Sequence, residues 1–182
     1  LLVSATEHPS VYFCGREDAI TIPVKHSGLI DLEALEELLK ENKKALVSIM
    51  MVNNETGVIQ PTKEICALVH KYDGIFHTDA VQAAGRFPLS FKDLDVDFMS
   101  LSAHKLGGPQ GVGALITRQG VNPPKFMHGG GQERRCRAGT ENVAGIAGFG
   151  MATELAAMNL EENSQHIARL EIHLLSQLEK RK

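Results

Sequence analysis

Three predicted strands of this sequence end in clusters of polar side chains, and these clusters hold the residues best suited to chemistry. The clusters read NNETG, HTDAVQ and SAHKLGGPQGVG, and they begin at Asn53, His77 and Ser102. In open α/β sheets, ligands bind beyond the carboxyl ends of the strands. We therefore expect the three clusters to line one site. The last cluster contains four glycines, which let the backbone approach a ligand closely.

Lys105 and Asp79 together point to one kind of cofactor. Alone, a lysine beside small residues at a strand end is most often a solvated surface residue. A lysine that forms a Schiff base and an aspartate that pairs with a pyridinium nitrogen are, however, the two protein groups that pyridoxal phosphate (PLP) requires. The aspartate keeps the ring nitrogen protonated, and the protonated ring stabilises the carbanion that forms when the substrate loses its alpha proton. The two residues therefore predict a PLP site.

The elements that must position these residues alternate between strand and helix. Short apolar runs rich in Val, Ile and Phe alternate with helical patterns, which is typical of βα units in a largely parallel sheet. The strand patterns cover residues 45–52, 74–79, 96–102 and 113–117. Helical patterns begin at Asp31 and after Pro61, and another covers residues 141–182. The sequence thus predicts an α/β fold.

Composition and cysteine spacing exclude several other classes of protein. The 182 residues are 43% apolar and 23% charged, which excludes a disordered chain, and their net charge is -3. No apolar run reaches the roughly 20 residues that span a bilayer, and scattered Lys and Arg give no footprint for nucleic acid. Cys14, Cys66 and Cys136 lie far apart without a CxxC pair, and no histidine has metal-ligand spacing. These features favour a reducing compartment, and we expect a cytoplasmic protein without a metal site.

Five stretches of the sequence resemble the class V aminotransferase family, and specifically its cysteine desulfurases of the NifS and IscS type. They are ATEHPSV, VSIMMVNNETGVIQ, HTDAVQAAGRFPL, DFMSLSAHKLGGPQGVGAL and MHGGGQERRCRAGTEN. The resemblance implies the large domain of a fold-type I PLP enzyme, with a mostly parallel mixed sheet flanked by helices. Residues 1–159 would form the central part of this PLP-binding domain, and residues 160–182 a helix leading towards a small C-terminal domain.

The resemblance also implies an activity and its partners. A homodimer would convert L-cysteine to L-alanine, with the sulfur held as an enzyme persulfide and passed to an acceptor or scaffold protein, as in iron-sulfur cluster assembly. Two alternatives stay open. One is another class V enzyme, such as selenocysteine lyase, kynureninase or an aminotransferase. The other is a non-catalytic dimerisation or scaffold fragment, which would bind no cofactor.

Residue roles follow from the same resemblance. Lys105 would carry the cofactor and act as general base, and Asp79 would pair with the pyridine nitrogen. His8 would stack on the ring, and Gln82 and Asn54 would hydrogen-bond the ring and the substrate. Ser102 and His104 would bind the phosphate, and Thr140 would reach the phosphate of the neighbouring subunit. His8 and His104 are also candidates to move a further proton. Asn53 is a weaker candidate than Asn54 for the same role. The simpler interpretations are that His8 caps a turn and that Asn53 and Asn54 are ordinary turn residues.

Several family features are not found where the family has them. Cys136 lies at a variable position and is not assigned as the nucleophile, and the substrate-carboxylate arginine is expected outside these residues. The chain opens without Met, both ends look cut, and the isolated 182 residues are expected to be inactive. The region from Val11 to Asp18 looks short for the family. A last group of expectations places His77 beside a strand, His26, His70, His166 and His173 at the surface, and His128 with Arg134, Arg135 and Arg137 at a subunit interface.

Overall fold

The computed structural model describes residues 1–13 and 18–180, so Cys14 and most of the short region after Val11 lie outside the described residues. Six strands form one sheet: β1 Leu2–Ser4, β2 Ile20–Ile22, β3 Leu46–Ser48, β4 Ile75–Asp79, β5 Phe98–Ser102 and β6 Gly113–Thr117. Their order is β2-β1-β3-β4-β5-β6, and every pair is parallel except β5 and β6. The predicted α/β fold with a mostly parallel mixed sheet is confirmed.

In the part of the chain that the structure describes, four helices lie between strands along the chain, and two more come after the last strand. They are α1 Pro9–Tyr12, α2 Leu32–Glu41, α3 Thr62–Lys71, α4 Phe91–Leu94, α5 Val143–Met158 and α6 Leu160–Glu179, with short 3-10 turns at Ala103–Leu106 and Glu133–Arg135. The helical pattern predicted for residues 141–182 is thus two helices, which meet at 67°. Within the described residues no single helix is long and apolar enough to cross a membrane. Only the bent pair α5 and α6, taken together, has the required length and apolar composition. The division into domains at residue 159 stays a prediction.

Local sequence explains the start and the buried face of α2. The Asp31 carboxylate accepts the backbone N–H groups of Glu33 and Ala34, which would otherwise lack partners at the helix start. Leu35 and Leu39 are four residues apart, lie on one face of the helix, and are fully buried. The predicted helix that begins at Asp31 is therefore confirmed, and its leucine face packs on the sheet core.

The core lies between the sheet and its helices. Both β1 and most of β3 are buried on both faces, as expected for the central strands of a parallel sheet. Phe76 on β4 is fully buried, and burial of such a side chain contributes about 2 kcal/mol or more. The strand predicted over residues 45–52 is shorter in the structure, but Ile49 and Met51 continue its hydrogen bonding to the β4 residues His77 and Asp79.

Asp97 joins three elements at the amino ends of the parallel strands. Its carboxylate accepts hydrogen bonds from His70 Nε2 and the Phe76 N–H, each at 2.8 Å, and from Arg118 Nε at 3.2 Å. The expectation that His70 is a surface residue is therefore wrong in part, because only 26% of its side chain is exposed. Sequence patterns miss such a pair, since His70 and Asp97 meet only through packing of α3 on the sheet.

Candidate cofactor site

One edge of the sheet collects most of the residues that the sequence singles out. Strands β1, β3, β4 and β5 are adjacent and parallel, so their carboxyl ends lie side by side. The segments that leave these ends are residues 5–8, 49–57, 80–86 and 103–112. They contain His8, Asn54, Gln82, His104 and Lys105, while Asp79 and Ser102 end β4 and β5. The expectation that the three polar clusters share one edge is confirmed.

Thr140 lies in the loop that precedes α5. Its side chain is exposed, and no hydrogen bond within residues 1–13 and 18–180 connects it to the segments above. Its predicted contact with the phosphate of a neighbouring subunit stays a prediction.

Asp79 is the last residue of β4 and lies opposite Ser100 of β5. Its Oδ1 accepts the backbone N–H of Val81 at 2.8 Å, which turns the chain sharply after the strand. The side chain is half-buried, and among the described residues it makes no ion pair. A partly desolvated carboxylate without a cationic neighbour favours a cationic ligand. Asp79 therefore fits the nitrogen of a protonated pyridine ring.

His77 lies on the same face of β4 as Asp79 but does not neutralise it. Its Nδ1 is 2.7 Å from Ser48 Oγ on β3, and its Nε2 is 2.8 Å from Ser100 Oγ on β5. Burial lowers the pKa of His77, although the nearby charge of Asp79 opposes this effect. The imidazole is thus a neutral bridge across three strands. Its expected place beside a strand is confirmed.

Lys105 is exposed on the short 3-10 turn that follows β5 directly. The turn ends at Gly107, whose φ of +81° lies in the left-handed region, and the Gly108 N–H donates to the Ala103 carbonyl at 2.9 Å. A Cβ at Gly108 would lie 3.0 Å from Ala152 Cβ on α5, so the glycine lets helix and turn pack closely. This packing holds the lysine-bearing turn against α5.

A cavity of about 440 Å³ opens beside Lys105. Its walls are the turn after β4, with Gly85 and Arg86, and the junction of α5 and α6, with Asn159 and Asn163. No hydrogen bond or ion pair joins Lys105 to Asp79 in the part of the chain that the structure describes. The two residues share the sheet edge, but among the predicted site residues Lys105 alone lines this cavity, so the cavity does not connect it to Asp79.

Ser102 and His104 form a polar pair at the start of the Lys105 turn. Ser102 Oγ lies 2.8 Å from His104 Nδ1, and the His104 ring is exposed. A hydroxyl and an imidazole N–H are both donors that can bind phosphate oxygens. Their position next to Lys105 therefore fits the predicted role of holding the phosphate of a cofactor that is attached to that lysine.

His8 caps the short helix α1. Its Nδ1 accepts the Ser10 backbone N–H at 3.2 Å and lies 2.8 Å from Ser10 Oγ. The simpler interpretation of His8 as a turn cap is thus confirmed. Capping uses one ring nitrogen and leaves the exposed ring faces for stacking, so the predicted stacking role is compatible with it and stays a prediction.

Asn53 and Asn54 have different environments. Asn53 is buried; its Oδ1 accepts the Thr56 N–H at 2.8 Å, and its Nδ2 donates to the Thr6 carbonyl at 3.0 Å. Asn53 is therefore a turn former that joins two loops of the site. Asn54 and the half-buried Gln82 make no side-chain hydrogen bond among the described residues, which leaves both amides available to a ligand.

Glu7 is the one residue of this edge that the sequence analysis missed. It is 8% exposed, one carboxyl oxygen accepts the Met50 backbone N–H, and Oε2 has no hydrogen-bond partner within the described part of the chain. Burial raises the pKa of Glu7 to about 8, and the negative charge of Asp79 adds to this. The sequence feature that could have indicated Glu7 is its position three residues after the apolar strand β1 and next to His8.

The described cysteines lie away from this arrangement. Cys66 is buried on α3, where burial raises the pKa of its thiol to about 12, so it is not a nucleophile at neutral pH. Cys136 is half-buried in the loop before α5 and follows three residues with positive φ, Glu133, Arg134 and Arg135. The arginines of this loop are exposed, and their place at a subunit interface stays a prediction.

Comparison with known proteins agrees with this geometry. A cysteine desulfurase IscS from Dictyoglomus turgidum is 44% identical over 160 residues, which are 88% of this chain and 40% of that protein. The structure of a NifS-like protein from Rickettsia africae has a TM-score of 0.92 and 45% identity over 98% of this chain and 51% of its own. A structure described as SspA in complex with cysteine has a TM-score of 0.76 and 37% identity over 84% of this chain and 46% of its own.

The chain thus spans about half the length of the relatives that it matches. The family model for class V aminotransferases matches residues 1–182. This match covers every element at the sheet edge described above, including the strands that end in Asp79 and Ser102. The chain belongs to the class V aminotransferase family.

Proposed function

We propose that this chain forms the cofactor-binding part of a PLP-dependent cysteine desulfurase. The observation that carries the proposal is the position, at one sheet edge, of the Asp79 carboxylate without an ion pair among the described residues and of the exposed Lys105 on the turn after the neighbouring strand. Relatives named cysteine desulfurase, and a related structure described as containing cysteine, support the choice of L-cysteine as the substrate.

The residues at this edge fit PLP by the chemistry of their donors and acceptors. Asp79 would hold the proton on the pyridine nitrogen, and Lys105 would attach the cofactor covalently. Ser102 and His104 would bind its phosphate. When bound, PLP supplies an electron sink for negative charge at the substrate alpha carbon. As a free amine near the substrate alpha carbon, Lys105 would take the alpha proton as general base.

Three further side chains would orient the cofactor and the substrate. His8 would stack on the ring face, and the free amides of Asn54 and Gln82 would hydrogen-bond the phenolic oxygen and the substrate. These assignments rest on the resemblance, and the exposure of His8 and Asn54 at the same edge supports them. His104 and His8 would also move a further proton, and the exposure of both imidazoles at this edge supports this role.

The proposed reaction breaks the carbon–sulfur bond of L-cysteine. An enzyme thiolate attacks the sulfur and forms a sulfur–sulfur bond, the beta carbon keeps the electron pair and takes up a proton, and the products are L-alanine and an enzyme persulfide. Cys66 is excluded as this thiolate by its burial and raised pKa. Cys136 is not assigned to it.

The partners and the compartment are also part of the proposal. The enzyme would act as a homodimer in the cytoplasm, and a protein of iron-sulfur cluster assembly would accept the sulfur. In this homodimer a second copy would contact the exposed loop with Thr140 and the neighbouring arginines. The separated cysteines support a reducing compartment.

Product analysis of the complete protein with PLP and L-cysteine tests this proposal. We expect equal amounts of alanine and of transferable sulfur, and loss of both in Asp79→Asn, with Asp93→Asn on the exposed helix α4 as the matched control. A keto acid product in place of alanine would indicate a transaminase of the same family. A protein that retains no PLP would contradict the proposal entirely.

A further inference from the structure

Glu7 occupies a buried position between three strands of the site edge. It follows β1, is 8% exposed, and accepts the N–H of Met50 from the segment after β3. Its second oxygen, Oε2, has no hydrogen-bond partner among the described residues. A buried carboxylate with a single backbone donor is strongly unfavourable, because one hydrogen bond does not replace the water that it loses.

The loop that contains Glu7 also carries His8. The Asn53 side chain donates to the Thr6 carbonyl at 3.0 Å, and Glu7 accepts from Met50 on the same neighbouring segment. Two consecutive residues therefore fasten this loop to the segment after β3. Because His8 comes next in the chain, its position depends on these two hydrogen bonds.

Charges around Glu7 favour a proton on its carboxyl group. Asp79 on β4 is the charged side chain that acts on it, and the segment after β3 contributes only the Met50 N–H. His77, also on β4, is held neutral by burial, and His8 is exposed on the loop itself. Burial and Asp79 together raise the pKa of Glu7 to about 8, and the Met50 hydrogen bond opposes them.

We propose that Glu7 is a positioning residue of the cofactor site, which as a neutral carboxylic acid fastens the His8 loop to Met50 and adds no second negative charge next to Asp79. The role towards PLP rests on the function proposed above, whereas the state of Glu7 does not. When Glu7 loses its proton, a buried and poorly hydrated charge lies near Asp79. Its hydrogen bond to Met50 becomes stronger, but the cost of the buried charge is larger, so the loop opens to admit water.

Hydrogen exchange at the Met50 amide tests this inference in the cofactor-free complete protein. Glu7→Gln keeps a neutral acceptor of the same size, whereas Glu7→Ala removes the acceptor. We expect the Met50 protection factor of the wild type to fall steadily from about pH 5, by up to about tenfold per pH unit, and to level off above the Glu7 pKa of about 8. Protection should be independent of pH in Glu7→Gln and low throughout in Glu7→Ala.

Asp79→Asn provides a second test of the same inference. Removal of the neighbouring charge should shift the pH at which Met50 protection levels off to a lower value, because Asp79 helps to keep the proton on Glu7. Equal protection in wild type and Glu7→Gln at every pH would overturn the inference. An unshifted levelling-off pH in Asp79→Asn would overturn the coupling of the two carboxyl groups.

The dissociation constant of PLP at neutral pH tests whether Glu7 positions the cofactor site. We expect Glu7→Gln to keep the wild-type dissociation constant and Glu7→Ala to weaken it at least about tenfold, because His8 then loses its fixed position. If PLP binds to none of the three proteins while the exchange pattern holds, the proposed function fails and the neutral state of Glu7 stands. Equal PLP affinity of wild type and Glu7→Ala would overturn the positioning role.

Discussion

The Glu7→Gln variant should become more stable than the wild type as pH rises. The pKa of Glu7 is about 8 in the folded protein against an ordinary value of 4.5. Between these values the folded state binds more protons than the unfolded state, so wild-type stability falls as pH rises. The favourable contribution of this group is complete below pH 4.5 and is lost by about pH 8. Glutamine has no proton to lose and avoids this change.

The expected size of the effect follows from the same interval. Each pH unit in which the folded state holds one extra proton removes about 1.4 kcal/mol of stability. From pH 4.5 to about 8 the loss is thus about 5 kcal/mol, and about 3 kcal/mol of it has occurred at neutral pH. Against a typical total of about 5–15 kcal/mol, this is a large effect.

Urea unfolding of the cofactor-free protein at several pH values measures this difference. The free energy of unfolding of Glu7→Gln minus that of the wild type should increase steadily from about pH 5 to about pH 8 and then level off. Glu64→Gln, at an exposed glutamate of α3, is the matched control and should show no such trend. A difference that does not change with pH would refute the reasoning, since it would mean that Glu7 is ionised in the folded protein.

Two other perturbations have defined outcomes. Burial lowers the pKa of His77 in the folded protein, so the unfolded state binds more protons just below pH 6.5. The free energy of unfolding of the wild type should therefore fall as the pH is lowered through 6.5. Urea unfolding should show a smaller loss in His77→Gln. Gly85 has a φ of +72°, so Gly85→Ala strains the turn after β4, and its added Cβ would lie 2.6 Å from Leu106 Cδ2 and displace that side chain on the Lys105 turn. PLP retention after gel filtration should therefore fall. Gly120→Ala introduces a similar φ strain without any neighbour within 4 Å, and it should retain PLP like the wild type.

Local patterns were sufficient to predict the architecture and the edge at which the site lies. Alternating apolar runs and helical patterns are short-range signals, and the Asp31 cap needs only its own helix. The position of the polar clusters follows from topology, because parallel neighbouring strands end at the same edge. Family motifs added the individual roles, such as phosphate binding by Ser102, that no periodicity contains.

Long-range packing explains what the sequence did not reveal. Glu7 looks like an ordinary polar loop residue until Met50 and Asp79, more than forty positions away in the chain, enclose it. The pairing of His70 with Asp97 likewise depends on the packing of α3 against the sheet. Asn53 and Asn54 have identical side chains, and only the fold shows that the amide of Asn53 is already hydrogen-bonded, to its own turn and to the Thr6 carbonyl.

The visible absorption spectrum of the complete protein, after incubation with PLP and removal of unbound cofactor, tests the central claim most directly. We predict a stable visible band in the wild type and in Lys92→Ala, an exposed lysine of α4, and its absence in Lys105→Ala. This result would establish Lys105 as the point of attachment in the site that Asp79 completes. A band of equal intensity in Lys105→Ala, or none in the wild type, would contradict the account.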